Sequence, residues 1–364
     1  MPSHTHIAAL LLGFTPFLTG FDAKELAQVK EANIQRPSWS SNGAKISFEA
    51  NFHKEKIIQL HIGTTDPDSF RQITPSVRAS NALTSGFQTA APSGLVSHEL
   101  SWGPSPSNHF VYASANADGD YDLHLSSGGK IAASIFPDGG PAWSPNGRHI
   151  AFTSSRTGEG DVYLIDTSAV DRDPVRLSTH EGASEVYIGW SPDSQQLVYV
   201  SHTQQGDNLW WLPHRKSAPV RLTSGPGSQT RPQFSPDGAF VAFYQRDAGS
   251  NRLDLYVLEL GGSNTSRPVA QDIVANTAGP VWSPDGKYLL FVCNDDAKYD
   301  PLCAVKLDQP ETPILLESNT VGHGDIAVNP TGDGNWYLAY VAQGLVTDTD
   351  RSFKRLFLAT ISLP

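Results

Sequence analysis

The chain has 364 residues, with 31 glycines, 26 prolines and only 17% charged residues, a composition of many turns rather than long solvated helices. Its formal net charge of −11 argues against a nucleic-acid partner, because phosphate backbones require a cationic footprint. No apolar run reaches the length that spans a bilayer, so a membrane partner is not expected either.

The first feature along the chain is an apolar stretch at 7–19, IAALLLGFTPFLT. Its length suits a signal-peptide core, yet no Lys or Arg precedes it and no small-x-small cleavage site follows. Residues 1–20 are therefore read either as a signal peptide or as an N-terminal arm. From there on the sequence repeats. The segments are PSWSSNG (37–43), LSWGPS (100–105), PAWSPNG (141–147), IGWSPD (188–193), PQFSPDG (232–238) and PVWSPDG (280–286), with a degraded seventh, IAVNPTG, at 326–332. The aromatic-equivalent positions 39, 102, 143, 190, 234, 282 and 328 are 63, 41, 47, 44, 48 and 46 residues apart. That period belongs to propeller blades, not to the shorter helical solenoid repeats.

Each motif reads as a strand end followed by a tight turn. Proline sets one φ, Asp or Asn accepts hydrogen bonds locally, and glycine takes positive φ. An alternating strand follows each turn, among them Phe48, Phe152, Val200, Phe243 and Phe291; a third strand comes after a polar loop. No segment carries sustained helical periodicity with caps. Fourth strands are marked by apolar residues 12 or 13 positions before the next aromatic, as Leu177 is to Trp190, Leu222 to Phe234 and Leu26 to Trp39. The chain ends soon after the third strand of the seventh repeat. The segment near Phe21–Ala27 is therefore expected to supply that blade's outer strand, pairing an edge that would otherwise invite association. The fold class is all-β: a seven-bladed β-propeller over 21–364 with four-stranded antiparallel blades, the last closed by the N-terminal strand. A monomer is expected.

The WSPDG repeats resemble those of the TolB-like (PD40, WD40-like) propeller family, across residues 21–362. The resemblance implies fold more than activity, since propellers host unrelated functions. TolB itself carries an α/β domain before its propeller, for which this chain has no room. Prolyl oligopeptidase relatives append a hydrolase domain, whereas here no G-x-S-x-G elbow exists, so a serine peptidase is not expected. The chain is also similar in general design to the seven-bladed polysaccharide lyases that cleave at uronic acids.

Loops held by a rigid ring are where function is expected. Residues three to five positions before each repeat aromatic include Arg36, His98, Glu99, Glu185, Tyr187, Arg231, His323 and Asp325; loops after the second strands add Arg156, His202 and Arg246. Arginine presents a planar fork suited to carboxylates, so four arginines at one mouth of an acidic chain suggest an acidic oligo- or polysaccharide ligand. β-Elimination beside a uronate needs donors for the charge developing on the carboxylate, a base and an acid. On that reading Arg36 and Arg231 hold the carboxylate, while Tyr187, His98 or His323 move protons. Two alternatives stand beside it: a non-catalytic propeller that binds a protein partner at the same mouth, and a scaffold whose arginines pair with Glu99, Glu185 and Asp325. The lyases of this fold that act on oligogalacturonate bind a metal through clustered histidines. Here His323 stands alone, and neither metal nor cofactor is expected.

Four further features complete the reading. The insertion at 75–98, rich in Ser, Ala and Gly, is either a surface loop or a lid. The run NADGDYD at 116–122 resembles half a calcium loop but lacks the closing Glu, and fits the ordinary turn before a third strand. Trp210 and Trp211 are expected to pack between blades, one ring on each sheet face. Cys293 and Cys303 flank one hairpin loop at a span that permits a disulfide, and Asn264-Thr265-Ser266 is a glycosylation sequon in a turn. Together with the N-terminal stretch these lean toward a secreted or periplasmic protein, with a cytoplasmic location left open.

Overall fold

A computed structural model describes residues 19–21, 23–54, 57–73, 77–78, 100–115, 120–132, 134–170, 173–180, 182–224, 227–250, 252–262, 264–294, 300–331 and 336–363. Among them nearly all regular structure is β, apart from a 3-10 turn at Pro67–Ser69. None contains a helix long and apolar enough to cross a membrane. The strands form successive antiparallel units, each starting at a repeat motif, and their succession is consistent with the seven repeats.

Blade three shows the pattern. Its strands Asp138–Trp143, His149–Ser154, Asp161–Asp166 and Val175–Arg176 pair in chain order, each antiparallel to the next. The turn after the innermost strand explains why the motif recurs. The Gly147 N–H donates to the Ser144 carbonyl at 2.8 Å, the His149 N–H donates to Ser144 Oγ at 3.0 Å, and the Arg148 N–H donates to Asn146 Oδ1 at 3.0 Å. Gly147 takes a φ of 76°, which a Cβ would strain. In blade five Ser235, Asp237 and Gly238 repeat these bonds, and the Ser235 hydroxyl on Asp237 holds that carboxyl below its usual range.

The repeat aromatics join one blade to the next. Trp39 Nε1 donates to the Ala327 carbonyl at 3.2 Å, Trp190 Nε1 to Ala142 at 2.9 Å and Trp282 Nε1 to Gln233 at 3.2 Å. In each case the acceptor lies on the innermost strand of the preceding blade. Apolar side chains fill the wedge between neighbouring sheets: Leu290, Leu302, Leu338 and Phe357 between blades six and seven, and Leu26, Ile34, Phe48 and Leu356 between blades seven and one. Burying one such side chain stabilises by about 1.5–3 kcal/mol.

Blade seven consists of Ile326–Val328, Trp336–Ala342 and Arg355–Ile361, and its outer strand is Lys24–Ala27 from the other end of the chain. The N-terminal closure is therefore present, with Lys24 opposite Leu358 and Glu25 opposite Phe357. Two pairings go beyond it. Thr19–Phe21 lies parallel to the outer strand of blade six, Gln309–Ser318, and Thr320–Val321 pairs with Gly344–Leu345 in a separate small ribbon.

Cys293 and Cys303 are bonded, with Cα atoms 6.0 Å apart. Trp211 packs toward blade five and donates to Gln196 Oε1 at 2.8 Å, while Trp210 meets the His180 ring at a centroid distance of 4.0 Å. The two rings thus sit on opposite faces of blade four. Within the insertion, Val77–Arg78 pairs with Ile57 and Ile58 of blade one. The remainder of 75–98, the apolar stretch up to residue 18 and the turn 116–119 lie outside the described residues. Asp122, at the end of that run, accepts from Lys130 Nζ at 2.7 Å.

Candidate functional site

The innermost strands surround a channel of about 700 Å³, to which all seven units contribute lining residues. Its wall is set by a recurring irregularity. Register shifts fall between Gln35 and Ser38, Gly139 and Ala142, Val186 and Gly189, and Thr230 and Gln233. Each is a bulge just before the repeat aromatic, and bulges re-aim a side chain out of the regular alternation. The residue three positions before the aromatic takes positive φ: 51° at Arg36, 56° at Tyr187 and 56° at Arg231. The equivalents in blades three and six are glycines, Gly140 and Gly279, with φ of 56° and 112°. Bulky residues held in this region cost about 1–3 kcal/mol each, and such strain concentrates at functional sites.

Arg36, Tyr187 and Arg231 all line the channel. The Arg231 guanidinium lies over the Tyr187 ring, 4.7 Å from its centroid, an arrangement that orients the cation without neutralising it. Among the described residues Arg231 has no carboxylate partner. Arg36 Nη1 lies 3.8 Å from Glu49 Oε1, a loose contact. Glu49 also lines the channel and accepts from the Gln35 amide at 2.9 Å, although only 2% of it is exposed. Serines 38, 41, 47 and 101 supply further hydroxyls, and Trp143, Trp190 and Trp282 supply half-buried ring faces. The lining reaches Ser41, Pro145 and Pro330, in the turns that follow the innermost strands. The cavity thus extends from the arginine layer to that end of the ring.

The remaining sequence candidates lie elsewhere. Asp325 is buried and does not line the channel. Its carboxylate accepts from the Arg36 N–H at 2.8 Å, from the Thr277 N–H at 2.7 Å and from Thr277 Oγ1 at 2.6 Å, fastening blades six, seven and one together. His323 is also buried. Its Nδ1 donates to the Asp300 carbonyl at 2.8 Å, and its Nε2 meets the hydroxyls of Ser318 and Thr320 at 3.0 and 2.9 Å. Glu185 is fully buried, bonded by Ser178 at 3.0 Å, Ser201 at 3.3 Å and His180 Nδ1 at 3.1 Å; burial pushes its carboxyl above the ordinary range. Arg156 turns back onto Asp138 of its own blade at 3.0 and 3.1 Å. Burial drives the Asp138 carboxyl up to about 6 despite its bonds to Ser154 and Arg156. His202, beside Asp207, and Arg246 are exposed and outside the channel lining. His98 and Glu99 lie outside the described residues.

The channel was legible at Arg36, Tyr187 and Arg231 but not at Glu49. The available signal was a lone carboxylate within the second-strand run ISFEANF at 46–52.

The model for the TolB beta propeller domain (PD40) matches residues 118–332, more than half of the chain. The chain belongs to that family. Among curated relatives, this TolB-family propeller is 25% identical over 162 residues to the uncharacterized protein Atu1656 of Agrobacterium fabrum, covering 43% of this chain and 51% of the relative. It is 26% identical over 208 residues to the uncharacterized peptidase YuxL of Bacillus subtilis, covering 45% of this chain and 30% of the relative. The chain thus spans about half or less of the curated relatives it matches. Among solved structures, the oligogalacturonate lyase of Vibrio parahaemolyticus superposes with a TM-score of 0.63 at 11% identity, covering 94% of this chain and 93% of the lyase. An oligogalacturonate lyase in complex with manganese gives 0.60 at 12% identity, covering 96% and 97%. At such identity the likeness is one of fold. Among the described residues of the TolB-family propeller no three His, Cys, Asp or Glu side chains converge as metal ligands, so they offer no donor set for a manganese ion.

Proposed function

We propose that the channel binds a uronate-bearing oligosaccharide and that Arg231, together with Arg36, holds the sugar carboxylate. The observation that carries this reading is the Arg231 guanidinium, aimed into the channel from a strained bulge, stacked on Tyr187 and lacking a carboxylate partner among the described residues. A planar guanidinium in a sheltered wall selects carboxylate, and the half-buried indoles offer faces for the C–H side of sugar rings. The similarity of fold to oligogalacturonate lyases, along nearly the full length of both chains, supports the same ligand class.

The channel also supports a reaction. In β-elimination a base takes the proton from the carbon beside the uronate carboxylate. The electron pair released forms a C=C bond as the neighbouring C–O bond breaks, and the leaving oxygen takes a proton. Arg231 and Arg36 would stabilise the charge that builds on the carboxylate. Glu49 would accept the proton and the Tyr187 hydroxyl would supply one to the leaving group. The Cys293–Cys303 bond supports export to an oxidising compartment, secreted or periplasmic, where such glycans are met.

Titration calorimetry with galacturonate, glucuronate and mannuronate oligomers tests binding, and ultraviolet absorbance of the new C=C bond tests turnover. Binding is expected to fall at least tenfold in Arg231→Ala, and turnover at least 100-fold in Tyr187→Phe. Equal affinity in wild type and Arg231→Ala would overturn the site. A second reading rests on membership of the TolB family: the same guanidinium would take a carboxylate of a protein partner, and saturation by an acidic peptide but no uronate would favour it.

A further inference from the structure

Away from the channel a second cavity, of about 570 Å³, lies between blades five and six. Its floor is apolar, formed by the half-buried Phe240 and Leu307, and its rim carries Arg267, Lys287 and Lys306 against a single carboxylate, Asp308. That excess of cations is unusual in a chain of net charge −11. Each lysine faces one carboxylate at the long end of ion-pair range, and the net positive charge of the rim comes from Arg267, which has no carboxylate partner among the described residues. Lys306 Nζ is 3.9 Å from Asp308, which is itself 67% exposed, and Lys287 Nζ is 3.6 Å from Asp285 Oδ2. Asp285 is engaged by its own turn, accepting from Ser283 Oγ at 2.6 Å and the Lys287 N–H at 3.1 Å. Arg267 donates one Nη2–H to the Leu307 carbonyl at 2.8 Å, which spans the gap between blades and fixes the guanidinium at the rim.

We propose that this groove is a second anionic-sugar subsite, in which a uronate ring lies on Phe240 and Leu307 while its carboxylate meets Arg267, Lys287 and Lys306. Identification of the anion as a uronate rests on the channel reading above. Topology places the two sites on one face. Gly286 and Lys287 belong to the turn after an innermost strand, and Lys306–Asp308 to the hairpin between third and outer strands. In an antiparallel four-stranded blade both turns lie at the same end, which is also the end where Ser41, Pro145 and Pro330 edge the channel. A polymer entering the channel from that end passes over a basic groove, and opposite charge raises its local concentration there.

The probes are polygalacturonate and monomeric galacturonate, each titrated at low and high salt into wild type, Arg231→Ala and the triple variant Arg267→Ala/Lys287→Ala/Lys306→Ala. The triple variant is expected to bind the polymer about tenfold more weakly at low salt, with a shallower salt dependence. It should keep the channel's monomer site, the one that Arg231→Ala weakens, and its unfolding midpoint should move little, because the one inter-blade bond it loses, from Arg267 to the Leu307 carbonyl, is exposed. Wild-type affinity of the triple variant for the polymer, or failure of the wild type to bind polygalacturonate at all, overturns the groove. Failure of the channel reading shows separately, as unaltered monomer binding in Arg231→Ala.

Discussion

Replacing Asp325 distinguishes a residue that fastens the ring from one that holds a ligand. Only 6% of Asp325 is exposed, and its carboxylate accepts three hydrogen bonds, two from backbone N–H groups of Arg36 and Thr277 and one from the Thr277 hydroxyl. In Asp325→Ala the hydroxyl can rotate toward another acceptor, but the two N–H groups cannot move without their strands. Each unsatisfied buried donor costs about 1–3 kcal/mol, so the two stranded N–H groups together cost about 2–6 kcal/mol. That loss is read from urea unfolding followed by tryptophan fluorescence. Asp325→Asn keeps one oxygen but sets an NH2 group against a donor, so it should fall between wild type and Ala. Because the Arg36 N–H is one of the lost bonds, the bulge that aims Arg36 should loosen too, and uronate affinity should fall with stability. An Ala variant within about 1 kcal/mol of wild type, with affinity lost, would refute the fastening role and return Asp325 to the ligand.

The ring was legible in the sequence because each SPDG turn is closed by bonds local to the motif, from Ser144 and Asn146 in blade three to Ser235 and Asp237 in blade five. Local chemistry of this kind leaves a fixed residue pattern. The N-terminal closure was legible for the same reason, Leu26 standing 13 residues before Trp39 as Leu177 stands before Trp190. The parallel pairing of Thr19–Phe21 on blade six follows no repeat and leaves no such mark. The site was legible only in part, because a window three to five residues before the aromatic mixes two environments. The bulge turns the residue at minus three, Arg36, Tyr187 or Arg231, into the channel. At minus five the regular strand directs Asp138 and Glu185 into the packed interior, and His323, in the loop before its strand, is buried as well. Asp325 also stands at minus three but is absent from the residues of positive φ, and its carboxylate turns aside to Thr277. Whether a given polar residue before the aromatic faces ligand or blade thus depends on backbone geometry that residue type alone does not encode.

Three further substitutions probe the closure, the staple and a buried carboxyl. Leu26→Ala empties a site buried against Ile34, Trp39 and Leu356 and should cost about 2–5 kcal/mol; an unchanged urea midpoint would mean that the N-terminal strand does not close the ring in solution. Cys293→Ser/Cys303→Ser releases a loop of sequence separation 10, for which loop entropy predicts a loss of about 2.5–3 kcal/mol; reduction of the wild type by dithiothreitol should reproduce that loss, and no change under either treatment would remove the staple from the account. Asp138 carries the sharpest pH signature. Its folded carboxyl titrates near 6 instead of 3.8, so between those values the folded chain binds more protons than the unfolded one. Stability from this group is then fully present below about pH 4 and is lost as pH rises through 6. The move from 3.8 to about 6 corresponds to about 3 kcal/mol. Asp138→Asn removes the titration, so the difference between wild-type and variant unfolding free energies should change by up to that amount between pH 4.5 and pH 7.5, the wild type gaining on the acid side. If the Arg156 pair at 3.0 Å outweighed desolvation instead, the folded carboxyl would titrate below 3.8 and the wild type would lose ground on acidification; that opposite slope would show that the ion pair, and not burial, governs this carboxyl.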